Sequence, residues 1–156
     1  MTRLPVILST GFGLGYTPIA PGTMASFAAL PFGYALLLFH GPLALLSIAL
    51  PILFVGIWAS GAHARIIGRD DPGSSVIDEI AGQLLAILPV VPLGTLSDGL
   101  QIGAAFLLFR FFDIVKPWPI SRLERLHGGV GIMADDCAAG IVSAALLYFM
   151  MAWGWI

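Results

Sequence analysis

Carboxylates stand at the start or near the end of three apolar segments of this sequence. Asp135 and Asp136 come directly before one long apolar run, Asp78 and Glu79 open another, and Asp113 lies near the end of a third. If these ends meet at one face, so many unpaired carboxylates would repel one another strongly. A hard divalent cation such as Mg²⁺ removes that conflict, because it prefers oxygen ligands. We therefore predict a metal site at these five acids.

Basic and polar residues accompany the acids. Lys116 follows Asp113 and precedes a proline that is expected to end the helix. His127 opens a glycine-rich turn that leads to the Asp-Asp pair, although a lone histidine could equally be an interfacial polar residue. Arg110, three residues before Asp113, could bind a phosphate or form a structural salt bridge with that acid. Cations beside a metal site are what a phosphate group needs, so the pattern indicates metal-assisted phosphoryl chemistry at a membrane surface.

A third polar stretch, GFGLGYTPIAPGTMAS at residues 11–26, is rich in glycine. Backbone N–H groups of Gly13 and Gly15 in a rigid turn before a helix could hold a phosphate, with Thr23 and Ser26 adding hydroxyl groups. The alternative is a loop that only caps the helix, with Thr23 or Ser26 as the N-cap. Taken alone, the stretch favours the capping interpretation.

The composition indicates that these groups are carried by a membrane protein. The 156 residues are 58% hydrophobic and 10% charged, and the mean hydropathy is +0.96. A soluble domain has about 25% charged residues. The net charge of −2 argues against a nucleic-acid footprint, which needs a basic stripe. The short apolar run at the N-terminus does not resemble a cleaved signal, so we expect an uncleaved chain in the bacterial inner membrane. A soluble helical bundle with unusually apolar helices stays open.

Five apolar segments must position the site, and we predict an all-α membrane bundle with about five spanning helices in one domain, residues 1–156. The segments are 25–40, 42–60, 80–96, 99–115 and 137–156. The first is short and the third borderline for the roughly 20 residues that a spanning helix needs. With reversals at His40-Gly41-Pro42 and at residues 92–99 and the N-terminus inside, every Lys and Arg falls at the cytoplasmic face. So does every acid except Asp98, while Trp153 and Trp155 mark the opposite interface.

Two other classes of membrane protein compete with an enzyme of metal-assisted phosphoryl chemistry. A small channel or transporter with an acidic ion site on its cytoplasmic side would also place acids within the membrane. Such a protein would distribute polar groups through the bilayer depth, whereas here they gather at one face. A two-metal head-group transferase would need a motif such as D-G-x-x-A-R, which is absent. A cysteine-dependent phosphatase is disfavoured as well, because Cys137 lies in an apolar segment without a C-x₅-R motif.

Three stretches resemble the phosphatidylglycerophosphatase A family. They are GFGLGYTPIAPGTMAS, GSSVIDEIAG and FRFFDIVKPWPISRLERLHGGVGIMADDCAAGI, in the family's order and spacing. The resemblance implies a Mg²⁺-dependent phosphatase that removes the terminal phosphate from phosphatidylglycerophosphate, leaving phosphatidylglycerol. It also implies an all-helical fold with the active site facing the cytoplasm. The expected partners are a membrane phospholipid substrate and the bilayer, without nucleic acid. Homo-oligomerisation stays open.

The resemblance carries over to specific positions. The matching polar residues are Thr23, Asp78, Glu79, Asp113, Lys116, His127, Asp135 and Asp136. We assign catalytic roles to Asp113, Lys116, His127 and Thr23, substrate binding to Gly13, Gly15, Thr23, Lys116 and Arg110, and metal binding to Asp78, Glu79, Asp135, Asp136 and Asp113. Asp70 and Asp71 match less firmly and are interpreted as turn acids. A metal-activated water and a covalent carboxylate intermediate both stay open as routes to hydrolysis.

Overall fold

The computed structural model describes residues 3–156, and every regular element in that range is a helix. The elements in chain order are α1 (Arg3–Ser9), a short 3-10 turn (Leu14–Tyr16), α2 (Pro21–Ile67), α3 (Ile77–Ala86), α4 (Leu96–Val115), α5 (Ile120–Leu123) and α6 (Gly129–Ala152). The predicted all-helical class is therefore confirmed. How many of these helices cross the bilayer is a separate question, which depends on their lengths.

Helix α2 is a pair of antiparallel arms joined at Gly41. The backbone of Gly41 has φ 78° and ψ 180°, which interrupts the helix and is accessible to glycine because it has no Cβ. In the first arm, Gly22 lies against the first turn of α3 and Gly33 lies against its end. In the second arm, Gly56 again lies against the start of α3. The two arms thus pass α3 in opposite directions, as the predicted reversal at this position requires.

The first arm begins earlier than the sequence predicts. Helix α2 starts at Pro21, with Ala20 in the N-cap position, because proline is favoured in the first helical turn. The arm of residues 21–40 is therefore about 30 Å long, enough to cross the hydrocarbon core. Neither Thr23 nor Ser26 is the N-cap, so the capping interpretation of these two hydroxyl groups is wrong.

The third apolar segment, residues 80–96, is helical over less than half of its predicted length, because the helix ends at Ala86. Helix α3 has 10 residues, about 15 Å, against a hydrocarbon core of about 30 Å. Pro89 and Pro92 explain the early end, since a proline removes a helical N–H and disfavours helical backbone in the residue before it. Residues 87–95 continue as irregular chain. The model of five full-length spanning helices is therefore not reproduced at this segment.

The last helix begins eight residues before the predicted segment. Helix α6 starts at Gly129 and has 24 residues. Asp135 and Asp136 consequently lie in its second turn, away from the N-terminal positions where a carboxylate acts as a cap. A capping role for this acidic pair is therefore wrong, and another explanation for the two carboxylates is needed.

The outer surface of the bundle is apolar. Two helices, α2 and α6, are long and apolar enough to cross a membrane. Large hydrophobic side chains such as Phe39 (74% exposed), Phe54 (67%) and Leu107 (68%) project outward. A water-soluble bundle would bury side chains of this size, since large exposed apolar surfaces mark interaction or membrane-facing regions. The soluble alternative is therefore disfavoured.

Asp98 lies at the end of the bundle opposite the other acids, as predicted, but it is a buried structural residue. Its Oδ2 accepts hydrogen bonds from the Tyr34 hydroxyl at 2.6 Å and from the N–H groups of Leu93 and Gly94 at 2.9 and 2.8 Å. The carboxylate therefore ties the irregular chain before α4 to the first arm of α2. Buried hydrogen bonds to a charged acceptor are among the stronger ones in proteins.

Candidate active site

The acids at the opposite end line one cavity of about 430 Å³. Its walls come from the start of α3, the end of α4, the loop after α2, the segment before α6 and the first turns of α6. The charged and histidine side chains in the lining are Asp70, Asp71, Asp78, Glu79, Asp113, Lys116, Glu124, Arg125, His127, Asp135 and Asp136. The tertiary structure therefore brings together the acids that the sequence places at three separate helix ends.

Three of these acids converge at the cavity floor. One carboxylate oxygen each from Asp78, Glu79 and Asp136 lies within 4.8 Å of the others. Asp78 and Asp136 are buried and Glu79 is partly buried. Asp78 Oδ1, Glu79 Oε2 and Asp136 Oδ2 have no hydrogen-bond partner. Unpaired buried carboxylates are costly, and a cation between them would remove that cost. This cluster, which we call the carboxylate triad, therefore fits a metal ion.

Close helix packing forms the triad. Asp78 and Glu79 lie in the first turn of α3, where the helix dipole favours negative charge. Helices α3 and α6 approach closely because glycines face each other: a Cβ on Gly140 would overlap the carbonyl of Gly82. Small residues at such contacts let helix backbones come together in membrane proteins. This contact holds Asp136 of α6 beside the start of α3.

Asp135 does not belong to the triad. Its Oδ2 accepts a hydrogen bond from the Lys116 Nζ at 2.6 Å, and the same ammonium lies 3.3 Å from Glu124. Neighbouring helical residues point about 100° apart, which separates Asp135 from Asp136. Burial disfavours the charged ammonium, but the hydrogen bond to Asp135 and the surrounding carboxylates together raise the pKa of Lys116 above its ordinary value. Lys116 is therefore a fixed positive charge in the cavity wall.

Lys116 is held in an unusual backbone conformation. It is the C-cap of α4, with φ 44° and ψ 56°, a left-handed region that is uncommon for residues other than glycine. The proline that follows ends the helix, as the sequence predicts. Strained residues of this kind cluster at functional sites, and here the conformation places the ammonium next to Asp135.

Asp113 lines the same cavity but is already paired. Its Oδ2 lies 2.6 Å from the Arg110 Nη1, and both side chains are mostly buried. Arg110 also donates to the Ser26 hydroxyl at 3.5 Å, and it does not belong to the cavity lining. The salt bridge that the sequence analysis offered as one role for Arg110 is therefore present. Because Asp113 already has a cationic partner, it needs a metal less than the triad acids do.

Four further predicted residues are placed differently. His127 lines the cavity with an exposed side chain. Gly13, Gly15 and Thr23 do not line it. The N–H groups of Gly13 and Gly15 donate to the carbonyl of Thr10 at 3.1 and 2.9 Å, so they are used within the turn. Substrate binding by these glycines and a catalytic role for Thr23 stay predictions without a contact to the cavity.

The cavity also contains charged residues that we did not assign to the site: Asp70, Asp71, Glu124 and Arg125. Desolvation raises the pKa of Asp71 above its ordinary value. The charge of Lys116 opposes this shift, and neighbouring carboxylates add to it. The predicted topology could have indicated these residues, because it places both of their loops at the same membrane face as the triad. Asp70 and Asp71 were not assigned to the site because they match the family motif only weakly.

The fold and the site together define the class of protein. An apolar helical bundle with a buried carboxylate triad and a fixed lysine in one cavity is a membrane protein suited to metal-assisted chemistry on a phosphate group. The family model described as phosphatidylglycerophosphatase A matches residues 7–151. The chain belongs to this family. It is a lipid phosphatase of phospholipid metabolism, a hydrolase that acts on a phosphate monoester.

Curated relatives agree with this assignment. Phosphatidylglycerophosphatase A of Escherichia coli is 40% identical over 92% of this chain and 81% of the relative. The protein of the same name from Haemophilus influenzae is 35% identical over 94% and 88% of the two chains. A putative phosphatidylinositol-3-phosphatase of Bacteroides thetaiotaomicron is 41% identical over 92% and 91%. No solved structure matches the chain.

Proposed function

We propose that this phosphatase hydrolyses phosphatidylglycerophosphate to phosphatidylglycerol and phosphate with Mg²⁺ held by Asp78, Glu79 and Asp136. The observation that carries the proposal is the carboxylate triad. Each of its residues brings one oxygen within 4.8 Å of the others, and each has a buried oxygen without a hydrogen-bond partner. An all-oxygen ligand set suits Mg²⁺ better than softer metals. Asp113 faces the same cavity, and because of its pairing with Arg110 we propose it as a supporting ligand.

The residues around the triad can neutralise the charge of the phosphate and supply a proton to the leaving group. When bound, Mg²⁺ would neutralise phosphate charge and polarise its oxygens. Lys116, fixed by Asp135, presents a positive charge to the transferred phosphoryl group, and such charge neutralisation is most of what phosphoryl transfer asks of a protein. His127 lines the cavity and is exposed, and one of its ring nitrogens could give a proton to the departing glycerol oxygen.

The substrate is tested by phosphate release from a panel of lipids. The purified protein is assayed in detergent with Mg²⁺ on phosphatidylglycerophosphate, phosphatidic acid and phosphatidylinositol 3-phosphate. We expect the highest kcat/KM with phosphatidylglycerophosphate. The inositol lipid is included because the Bacteroides relative carries that name. A higher kcat/KM with either of the other lipids would overturn the proposed substrate.

We further propose a multi-pass arrangement in the bacterial inner membrane with the cavity facing the cytoplasm. Lys116 and Arg125 line the cavity, and Arg65 and Arg69 line a neighbouring depression at the same end. Positive residues at one end support a cytoplasmic location under the positive-inside rule. Helix α6 is about 36 Å long and runs from this end toward the tryptophans at the C-terminus.

This arrangement predicts the location of the C-terminus. A reporter fused after Ile156 should read as periplasmic, because α6 carries the chain from the cavity end across the membrane. The matched control is a reporter fused after Arg69, which should read as cytoplasmic since that loop lies beside the cavity. A cytoplasmic reading after Ile156 would contradict the arrangement.

A further inference from the structure

The substrate of the proposed reaction carries two phosphate groups, and the triad accounts for one of them. The terminal monoester is hydrolysed and must reach the buried triad. The second phosphate is the diester that joins the two glycerol units, and it stays on the product. It must lie in the more open part of the same cavity, one glycerol away from the triad. An anion in that position requires a cation that is not already occupied.

Few cations in the cavity are available for this second phosphate. Eight carboxylates line the cavity against the permanent positive charges of Lys116 and Arg125. The Lys116 ammonium is hydrogen-bonded to Asp135 and to Glu124. So negative a lining would repel a bound diester unless a cation compensates its charge. Lys116 is already assigned to the transferred phosphoryl group, which leaves Arg125 for the diester.

Arg125 has the properties that the second phosphate needs. Within residues 3–156, no carboxylate lies within ion-pair distance of its guanidinium. The residue is exposed and contributes to the lining, in the segment just before α6. Arg125 is exposed whereas Asp78 and Asp136 of the triad are buried, so Arg125 belongs to the open part of the cavity and the triad to its floor. The nearby Arg122 differs, since its guanidinium lies 5.9 Å from the centre of the Trp118 ring and outside the cavity lining.

We propose that Arg125 binds the diester phosphate of the lipid and thereby determines head-group specificity. This inference rests on the proposed substrate. The planar guanidinium presents two parallel N–H donors to a phosphate, a geometry that lysine does not reproduce. A lipid whose monoester is attached directly to diacylglycerol lacks the diester and cannot use this contact. Arg125 is therefore a substrate-binding residue that favours phosphatidylglycerophosphate over phosphatidic acid.

Kinetics of the Arg125→Gln variant test the proposal. We expect its KM for phosphatidylglycerophosphate to rise about 10- to 100-fold with little change in kcat, since a charge-assisted contact that is equal in ground and transition states is lost. The matched control is Arg122→Gln, which removes the same charge three residues away and should leave KM unchanged. Arg125→Lys should recover only part of the affinity. An unchanged KM in Arg125→Gln would overturn the proposal.

Two soluble probes distinguish this contact from the triad. Glycerophosphoglycerol contains the diester alone, and inorganic phosphate resembles the monoester. Arg125→Gln should weaken binding of glycerophosphoglycerol, measured as the rise in Tm that it causes, and should leave binding of inorganic phosphate as in the unchanged protein. An equal loss for both probes would place Arg125 at the monoester and overturn the proposal.

The two assays also separate this inference from the proposed function. The rise in Tm requires no turnover, so it reports on Arg125 even for a protein that does not hydrolyse phosphatidylglycerophosphate. Failure of the unchanged protein to release phosphate from that lipid would count against the proposed substrate alone. An active protein whose Arg125→Gln variant binds glycerophosphoglycerol normally would count against Arg125 alone.

Discussion

Replacing Asp136 with asparagine is expected to lower kcat by about two to four orders of magnitude while the protein still inserts and folds. Losing a ligand charge weakens the hold on a Mg²⁺ whose stabilisation of transition-state charge would be worth several kcal/mol, and each 1.36 kcal/mol in a barrier is tenfold in rate. Asp136 supplies one of the three converging oxygens at the cavity floor. The measurement is phosphate release from phosphatidylglycerophosphate at saturating lipid and Mg²⁺.

Asp135→Asn should have a smaller effect, although the two acids are adjacent. Its carboxylate holds Lys116 at 2.6 Å and does not belong to the triad. Without that contact the Lys116 ammonium is no longer held in position. We therefore expect about a tenfold loss of kcat, as for other residues that position a functional group. If Lys116 is the partner through which Asp135 acts, Lys116→Met combined with Asp135→Asn should be no worse than Lys116→Met alone.

Asp98→Asn is the control for the charge change itself. This carboxylate is also buried but lies at the other end of the bundle, hydrogen-bonded to Tyr34. The sequence alone places Asp98 in a loop far from the site and therefore predicts no effect of this substitution on activity. Its hydrogen bonds now predict a lower Tm with kcat unchanged.

Near-normal turnover of Asp136→Asn at normal expression would contradict a metal role for the triad.

Removing divalent metal should abolish activity altogether. Excess EDTA is expected to stop phosphate release, and added Mg²⁺ should restore it, because the triad acids need a counter-charge before an anionic lipid can approach. Full activity in excess EDTA would overturn the metal proposal. This result depends on activity, so a second measurement on the folded protein is needed.

Thermal stability supplies that measurement. A ligand that binds only the folded state raises stability, and at 100 times its Kd the expected rise in Tm is about 5–10 °C for a chain of this size. The rise should appear with Mg²⁺ in the unchanged protein and in Asp98→Asn. It should be absent in Asp78→Asn, which removes a triad ligand. A Mg²⁺-dependent rise that survives in Asp78→Asn would show that the ion binds elsewhere.

The chemistry of the site could be predicted from the sequence because its groups are local motifs. The acidic pair on α6, the pair that opens α3 and the Asp113-to-Lys116 spacing are each visible within a few residues, and the apolar composition identifies the surrounding medium. Hydropathy also predicted the reversal at Gly41, since a turn residue between two apolar runs is a local signal. The family resemblance followed from the same stretches.

The tertiary structure decided which of these groups meet. Asp135 and Asp136 are indistinguishable in sequence, and only the rotation of α6 against α3 directs one to the triad and the other to Lys116. The tertiary structure also distinguishes Arg125 from the other cations: Arg110 and Lys116 form ion pairs with carboxylates, and Arg125, in the part of the chain that the structure describes, does not. Pairing between residues far apart in the chain depends on how closely helices pack, here through Gly82 and Gly140, and such distances are not encoded in any single segment.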